Sequence, residues 1–277
     1  MNQNEYKSLS NTATKARMLA LDAVYTAKSG HPGGSLSIID ALTVLYFHTM
    51  HIDPTDSKDP DRDRFVLSKG HCSPAMYAVL ALRGYFPVEE LKKFRSVNHH
   101  LSGHVEMNHV NGVDMSAGSL GQGFSTAVGM ALAGKLDGKS YRVFAAMGDG
   151  EIAEGQIWEA AMAAAHYKLD NLCGMVDVNG LQIDGPTEKV MNSAPLDEKF
   201  RAFGWHVIQA DGHNYEALAD AFDASNIIPG KPTMVLLHTV KGKGVSFMEN
   251  QVGWHGKAPN DREYAQAMDE LSKKLEA

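Results

Sequence analysis

The chain predicts an α/β fold: a three-layer, doubly wound, mostly parallel sheet with helices on both faces. Three observations point to it. Short apolar runs alternate with stretches whose apolar residues recur at helical spacing, the pattern that right-handed βαβ crossovers produce. Two of those runs end in "GDG" and "NG" turns, where a parallel sheet offers its carboxyl edge to ligands. At 277 residues and 44% hydrophobic content there is enough material for one full core. We read residues 1–277 as a single domain, including a C-terminal extension from about residue 240.

The elements follow in order. Helical spacing runs from about Thr12 to Ala27 and stops at Ser29-Gly30, where glycine can take the left-handed cap. After the junction "SGHPGGS", carrying His31, a second helical pattern runs from Leu36 to Met50. "RFVLSKGHCSPAMYAVLALRGY" reads as a short strand, a turn bearing His71 and a helix from about Pro74. Asn98 to Gly123, rich in Gly, His and Asn, lacks periodicity, and a loop that long inside a domain is usually functional. Then come a helix from Gln122 to Leu136, a strand from Arg142 to Met147, a helix from about Glu154 to Tyr167 and a strand from Leu172 to Val178. A third unit places helices near Pro195 to Phe203 and Tyr215 to Ile227, and strands at Trp205 to Ala210 and Thr233 to Thr239. A polar, Gly-rich segment ending in "WHGKAPN" precedes an amphipathic helix from Asp261 to the C-terminus.

Composition excludes several function classes. A net charge of −7 and a pI near 6.0 provide no broad basic field, so no nucleic-acid partner is expected, although a local basic pocket for a phosphate is compatible with them. Cys72 and Cys173 belong to no CxxC pair or Cys/His metal spacing, which argues against disulfides and zinc. No run reaches the roughly 18 apolar residues of a membrane span, and the N-terminal stretch lacks a signal-peptide core. The expectation is a cytoplasmic protein with no membrane partner.

The chemistry gathers at two strand ends. Asp149 and Asn179 each follow an apolar strand, and the 28 residues between Gly150 and Asn179 make one helix-plus-strand crossover, so their oxygens can meet. A carboxylate, an amide oxygen and a backbone carbonyl from the turn after Asn179 form a poor zinc site but a good partial shell for Mg²⁺ or Ca²⁺. The glycines beside Asp149 let phosphate oxygens approach, and the following helix adds its positive end. In isolation, Gly-Asp-Gly is more simply read as a βα turn with an N-cap aspartate, and only its context points to the metal.

Six motifs carry more. They are "SGHPGGSLS" at 29–37, "LSKGHCSPAMYAVL" at 67–80, "GSLGQG" at 118–123, "GDGEIAEGQIWEA" at 148–160, "DVNGLQIDG" at 177–185, and "TVKGKGVSFMEN" with "WHGKAP" at 239–259. In this order and spacing the chain resembles transketolase, over nearly its whole length but only over that family's N-terminal, diphosphate-binding part. The resemblance implies thiamine diphosphate as cofactor and Mg²⁺, with Ca²⁺ or Mn²⁺ as substitutes, held by Asp149, Asn179 and the Leu181 carbonyl. It assigns His71, Ser119, Leu120, Gly121, Gly150 and Lys241 to the cofactor, and His31 and His255 to substrate hydroxyls and the reacting carbonyl. His104 matches a further active-site histidine, in a segment that also holds His99, His100 and His109. Gly34 departs from the pattern, because some members carry a serine near the cofactor there.

The histidines suit such chemistry. Ketol transfer breaks a C–C bond beside a carbonyl; the cofactor is the electron sink, and the protein positions groups and moves protons. Neutral imidazoles do both near pH 7.

The resemblance further implies a separate C-terminal subunit with the pyrimidine-binding and C-terminal domains, since the sequence ends before them. The expected assembly is an α2β2 heterotetramer acting on sugar phosphates of the pentose phosphate pathway. It places Glu154 at a subunit interface, with Glu159 five residues on along the same predicted helix. Glu151 reads instead as a first-turn acid complementing the helix dipole. Alternatives within the cofactor class are a 1-deoxyxylulose-phosphate synthase and the α subunit of a 2-oxo acid dehydrogenase. Outside it stands a non-catalytic cofactor-binding module, against which His31, His71 and His255 argue, since binding alone needs only the metal ligands.

Overall fold

The structure is a computed structural model that describes residues 1–275. Five strands form one sheet: β1 (Arg64–Leu67), β2 (Val143–Gly148), β3 (Leu172–Val178), β4 (His206–Asp211) and β5 (Thr233–His238). Their spatial order is β1-β2-β3-β5-β4, with every neighbouring pair parallel. Each connection must therefore cross a face of the sheet.

The strand side chains show how both faces are buried. Phe65, Leu67, Phe144, Ala146, Cys173, Met175, Val235 and Leu237 enter one core, shared with helices α1 (Gln3–Ala27), α2 (Pro32–Val44) and α3 (Ser73–Arg83). The alternate residues Val66, Val143, Ala145, Met147, Leu172, Val176, Met234 and Leu236 enter a second core with α4 (Gln122–Leu136) and α5 (Gly155–His166). Period-two alternation with both sets apolar is the signature of a sheet covered on both sides. The expected α/β architecture is thus present.

Register places the site. Gly148 lies opposite Asp177, and Val178 lies opposite His238, so β2, β3 and β5 end nearly level. The residues just beyond them, Asp149, Asn179 and Thr239 to Lys241, emerge at one edge. Backbone bonds continue the alignment past the strands: Asp149 N–H donates to Asp177 O at 3.3 Å and Thr239 N–H to Val178 O at 3.1 Å.

Some boundaries differ from expectation. The first helix begins at Gln3 rather than Thr12, because the Asn2 side chain caps it and its first turns are solvated, where apolar periodicity is silent. The second begins at Pro32 rather than Leu36. Proline suits a first helical turn, and tertiary crowding explains the glycines after it: a Cβ on Gly33 would lie 2.9 Å from Trp254 O. The helix expected from Glu154 starts at Gly155, after a separate 3₁₀ turn at Glu151–Ala153, and Glu154 itself is extended (φ −70°, ψ 127°). The helix expected near Pro195 is α6 (Leu196–Ala202). α7 (Tyr215–Asp223) stops short of Ile227 and a 3₁₀ turn follows it; α8 (Asp261–Ser272) ends before the C-terminus. No helix among the described residues is long and apolar enough to cross a membrane. Both cysteines are free and buried.

Candidate functional site

A cavity of about 280 Å³ opens at the carboxyl edge of the sheet. It is lined by the four expected histidines, His31, His71, His104 and His255, and by Leu120, Asp149, Gly150, Asn179, Leu181 and Lys241. Segments far apart in sequence supply these groups. Ser119 and Gly121 flank the lining rather than form it. Gly121 caps α4 in the left-handed region (φ 85°), where a side chain would be strained.

Three oxygen donors sit on the β2 and β3 turns. Asp149 Oδ1 accepts from Gly150 N–H at 2.8 Å, and Oδ2 accepts from Gly180 N–H at 2.6 Å. Asn179 Nδ2 donates to Asp177 Oδ2 at 3.2 Å, which fixes the amide, while its Oδ1 accepts from Leu181 N–H at 3.1 Å. Leu181 O accepts from Lys241 Nζ at 3.1 Å. Burial, and then the neighbouring charge of Asp177, push the Asp149 carboxyl up to about 6. A buried carboxylate beside another acid gains from a cation, and an all-oxygen donor set suits a hard divalent ion.

Below this turn lies an ion pair that sequence reasoning missed. Lys69 Nζ donates to Asp177 Oδ2 and, at 3.0 Å, to Gly34 O. Asp177 is fully buried and also accepts from Ser37 Oγ at 2.5 Å and from Thr239 Oγ1. Burial opposes both charges, but each partner outweighs it: Lys69 is raised above the ordinary lysine range and Asp177 held below the ordinary carboxylate range. The signal in the sequence was a charge inside a buried strand, the Asp of "LCGMVDV". A Cβ on Gly34 would stand 2.9 Å from Cys72 Sγ and 3.8 Å from Lys69 Nζ, so this chain fills the space beside Gly34 with the lysine and the thiol.

Glu151 corrects the sequence reading. It is not a surface acid at a helix end but is 2% exposed, within the 3₁₀ turn. Its Oε1 accepts from Gly121 N–H at 2.8 Å and from Ser68 Oγ, and its Oε2 accepts from Gly148 N–H at 3.1 Å. One carboxylate thereby ties the ends of β1 and β2 to the "GSLGQG" turn. Burial raises its pKa, which the three donors oppose. Glu154 and Glu159, in contrast, are exposed on this chain.

The histidines form a cluster. Ring centroids lie 5.2 Å apart for His31 and His71, 6.0 Å for His31 and His104, 5.6 Å for His31 and His255, and 5.3 Å for His71 and His255. Burial, reinforced by neighbouring positive groups, pushes His31 and His71 down to about 4 and His255 to about 3; His104 is lowered by burial, His71 and Arg95. All four are neutral near pH 7. Lys241, lowered by burial and by Lys69, stands 3.0 Å from His255 Nδ1. His31 Nδ1 and Gln182 Nε2 are buried without a hydrogen-bond partner. Unpaired buried polar atoms beside a cavity fit a polar ligand.

A doubly wound sheet whose carboxyl edge carries an acidic, oxygen-rich turn beside a neutral imidazole cluster fits the class of domains that hold a diphosphate cofactor. Residues 8–275 match the family model described as "Transketolase, thiamine diphosphate binding domain". The chain belongs to that family. It is 47% identical over 265 residues to the 6-deoxy-6-sulfo-D-fructose transketolase subunit SqwG of a Clostridium species, covering 96% of each chain. It is 41% identical over 272 residues to one of the subunits of the apulose-4-phosphate transketolase of Phocaeicola vulgatus, covering 98% of this chain and 96% of the relative. The solved transketolase of Campylobacter jejuni matches with a TM-score of 0.89 at 32% identity, over 98% of this chain but only 43% of that one. The chain thus spans less than half of that solved transketolase and nearly all of the two separate subunits.

Proposed function

We propose that this chain is the cofactor-holding subunit of a two-chain transketolase, which moves a two-carbon ketol unit from an anionic ketose to an aldose phosphate. The observation that carries this reading is the cluster of four neutral imidazoles facing the Asp149–Asn179 turn across one cavity. The two relatives matched end to end are both named as transketolase subunits, which supports a separate partner chain for this one. Their names carry a sulfo sugar and a sugar phosphate, so we extend the donor class from pentose phosphates to ketoses with either terminal anion. A role in the pentose phosphate pathway remains part of the proposal, as do an α2β2 assembly, a cytoplasmic setting and a single domain over residues 1–277.

The chain's residues would divide the work. Asp149, Asn179 and the Leu181 carbonyl would hold Mg²⁺ on the diphosphate, with Gly150, Ser119, Leu120, Gly121, His71 and Lys241 around the cofactor. Bound thiamine diphosphate supplies the electron sink for breaking a C–C bond beside a carbonyl. His31 and His255 would hold substrate hydroxyls and exchange protons with the reacting oxygen, a task that neutral rings perform in both directions. The Lys241 ammonium beside His255 Nδ1 adds to burial in disfavouring a charge on that ring, and the contact would leave the other nitrogen for the substrate. His104, at the outer edge of the cluster, would contact a further hydroxyl. Glu154 and Glu159, exposed here, would meet another subunit.

The test is co-expression with a chain carrying the pyrimidine-binding domain, followed by assay with thiamine diphosphate and Mg²⁺. Ketol transfer from xylulose 5-phosphate or a 6-sulfo ketose is expected. Decarboxylation of 2-oxo acids without ketol transfer would overturn the reading, as would full activity of this chain alone. Glu154→Gln should weaken the assembly of the chains; an unchanged assembly would remove that residue from the interface.

A further inference from the structure

We infer that His213 is a positioning residue for Lys241, the ammonium that joins the imidazole cluster to the oxygen-rich turn. It acts through the backbone of Val240 and is itself held by Asp40. The part of Lys241 in holding a cofactor rests on the transketolase reading above; the arrangement of His213, Asp40 and the loop stands on geometry alone.

Lys241 lies in the segment that leaves β5, and its Nζ meets Leu181 O at 3.1 Å and His255 Nδ1 at 3.0 Å. A lysine stem is flexible, so an ammonium keeps two partners at once only where its backbone is fixed. Ties from other elements hold that backbone on both sides of the residue. Val240 N–H donates to His213 Nε2 at 2.9 Å, Gly242 N–H donates to Gly33 O at 2.9 Å, and Lys243 O accepts from Arg17 Nε at 3.2 Å. Gly242 adopts a φ of 78°, and a Cβ there would stand 2.3 Å from Met248 O, so the turn is packed against backbone as well.

The two side-chain ties run back to one acid. Asp40, buried on α2, accepts from Arg17 Nη1 at 2.9 Å and Tyr215 Oη at 2.8 Å on Oδ1, and from Arg17 Nη2 at 2.6 Å and His213 Nδ1 at 2.7 Å on Oδ2. Burial opposes its charge, but Arg17 and the His213 bond outweigh it and hold the carboxyl below its ordinary range. An ionised carboxylate only accepts, so the proton of the His213 ring sits on Nδ1. Nε2 is then a bare acceptor, which is the form that the Val240 N–H requires. Asp40 thus sets the tautomer of one arm and the orientation of the other, and the arms reach the loop one residue before Lys241 and two residues after it.

Arg17, Asp40 and His213 belong to none of the six motifs and line no part of the main cavity. Their route to the site is the Lys241 backbone. A purely structural His213 would tie the turn before α7 to α2, and its bond to Asp40 would be enough for that. The two ring nitrogens therefore separate the roles. An asparagine amide stands near the Nδ1 position and keeps the Asp40 bond, whereas a glutamine amide extends toward the Nε2 position and can accept from Val240.

His213→Asn and His213→Gln, made in the full chain without cofactor, test the inference near pH 7 by NMR. The Lys241 ammonium donates to His255 Nδ1, so the parent chain should show His255 in the single tautomer protonated at Nε2. In His213→Asn the two ring-nitrogen resonances of His255 should move toward each other as the tautomers mix, and the Val240 amide should exchange faster on the order of tenfold or more. His213→Gln should keep both readouts near the parent values. Arg17→Lys, which leaves a cation beside Asp40 but gives up the Nε bond to Lys243 O, should move His255 in the same direction and stands in should the asparagine variant fold poorly. Parent-like His255 resonances in a folded His213→Asn chain, or the same change in His213→Gln, would overturn the positioning role. Neither readout needs ketol transfer, so its failure leaves the proposed reaction standing, and failure of that reaction leaves the positioning standing.

Discussion

Lys241 Nζ lies 3.0 Å from His255 Nδ1 and 3.1 Å from Leu181 O, so a single ammonium links the imidazole cluster to the oxygen-rich turn. The charge helps hold His255 down at about 3, after burial. Lys241→Met removes it. The His255 pKa should then rise toward the ordinary imidazole range, read by NMR titration of its ring protons; a value that stays put would show that burial alone sets it.

Stability should depend on pH through the same cluster. His31, His71 and His255 hold folded-state pKa values of about 4, 4 and 3, below the ordinary 6.5. Between those values and 6.5 the unfolded chain binds protons that the folded chain refuses, so stability is full above pH 6.5 and falls as pH drops toward 4. Asp149, raised to about 6, acts in the opposite sense, because the folded chain takes its proton first. Urea midpoints of the cofactor-free chain from pH 7.5 to 4.5 should decline, and His31→Asn with His255→Asn should flatten the decline. An equally steep decline in that variant would exclude the cluster as its source.

The ion pair beneath the cavity should be costly to break on one side. Lys69→Met leaves Asp177 buried with hydroxyl and amide donors but no counter-charge, at a cost of about 3–5 kcal/mol. Adding Asp177→Leu should recover part of that loss, because removing both charges removes the uncompensated one. Thermal unfolding of the single and double variants decides; a double variant no more stable than Lys69→Met alone would contradict it.

Glu151 offers a test of the knot at the sheet edge. Glu151→Gln keeps the volume but turns an amide donor toward groups that are themselves donors, Ser68 Oγ–H and the N–H groups of Gly121 and Gly148. The expected loss is about 1–3 kcal/mol. It should be accompanied by weaker retention of thiamine diphosphate, measured by fluorescence titration, since the "GSLGQG" turn loses its tether. Unchanged stability would mean that the carboxylate is already protonated and replaceable.

Much of this molecule is legible as a string. The strand and helix order follows from apolar runs of strand length alternating with helical spacing, and the long aperiodic segment from 98 to 121 carries no regular element in the structure either. The residues expected at the site are mostly those that meet at the cavity, because strand ends in a parallel sheet converge and motif spacing marks the strand ends. Glu151 was misread for a physical reason. An acid just before a helix has two stable situations, solvated beside the dipole or buried against several N–H donors, and local sequence does not distinguish them. Two of its three donors, at Gly121 and Ser68, belong to segments remote in sequence.

By itself, then, the sequence determined the layered α/β plan, the family motifs and the residue types available for chemistry, since those depend on local periodicity and spacing. Only the tertiary structure decided which charges are paired. Lys69 with Asp177 and Glu151 with three donors are outcomes of long-range packing, and packing sets the desolvation that makes a charge a structural tie rather than a solvated surface group.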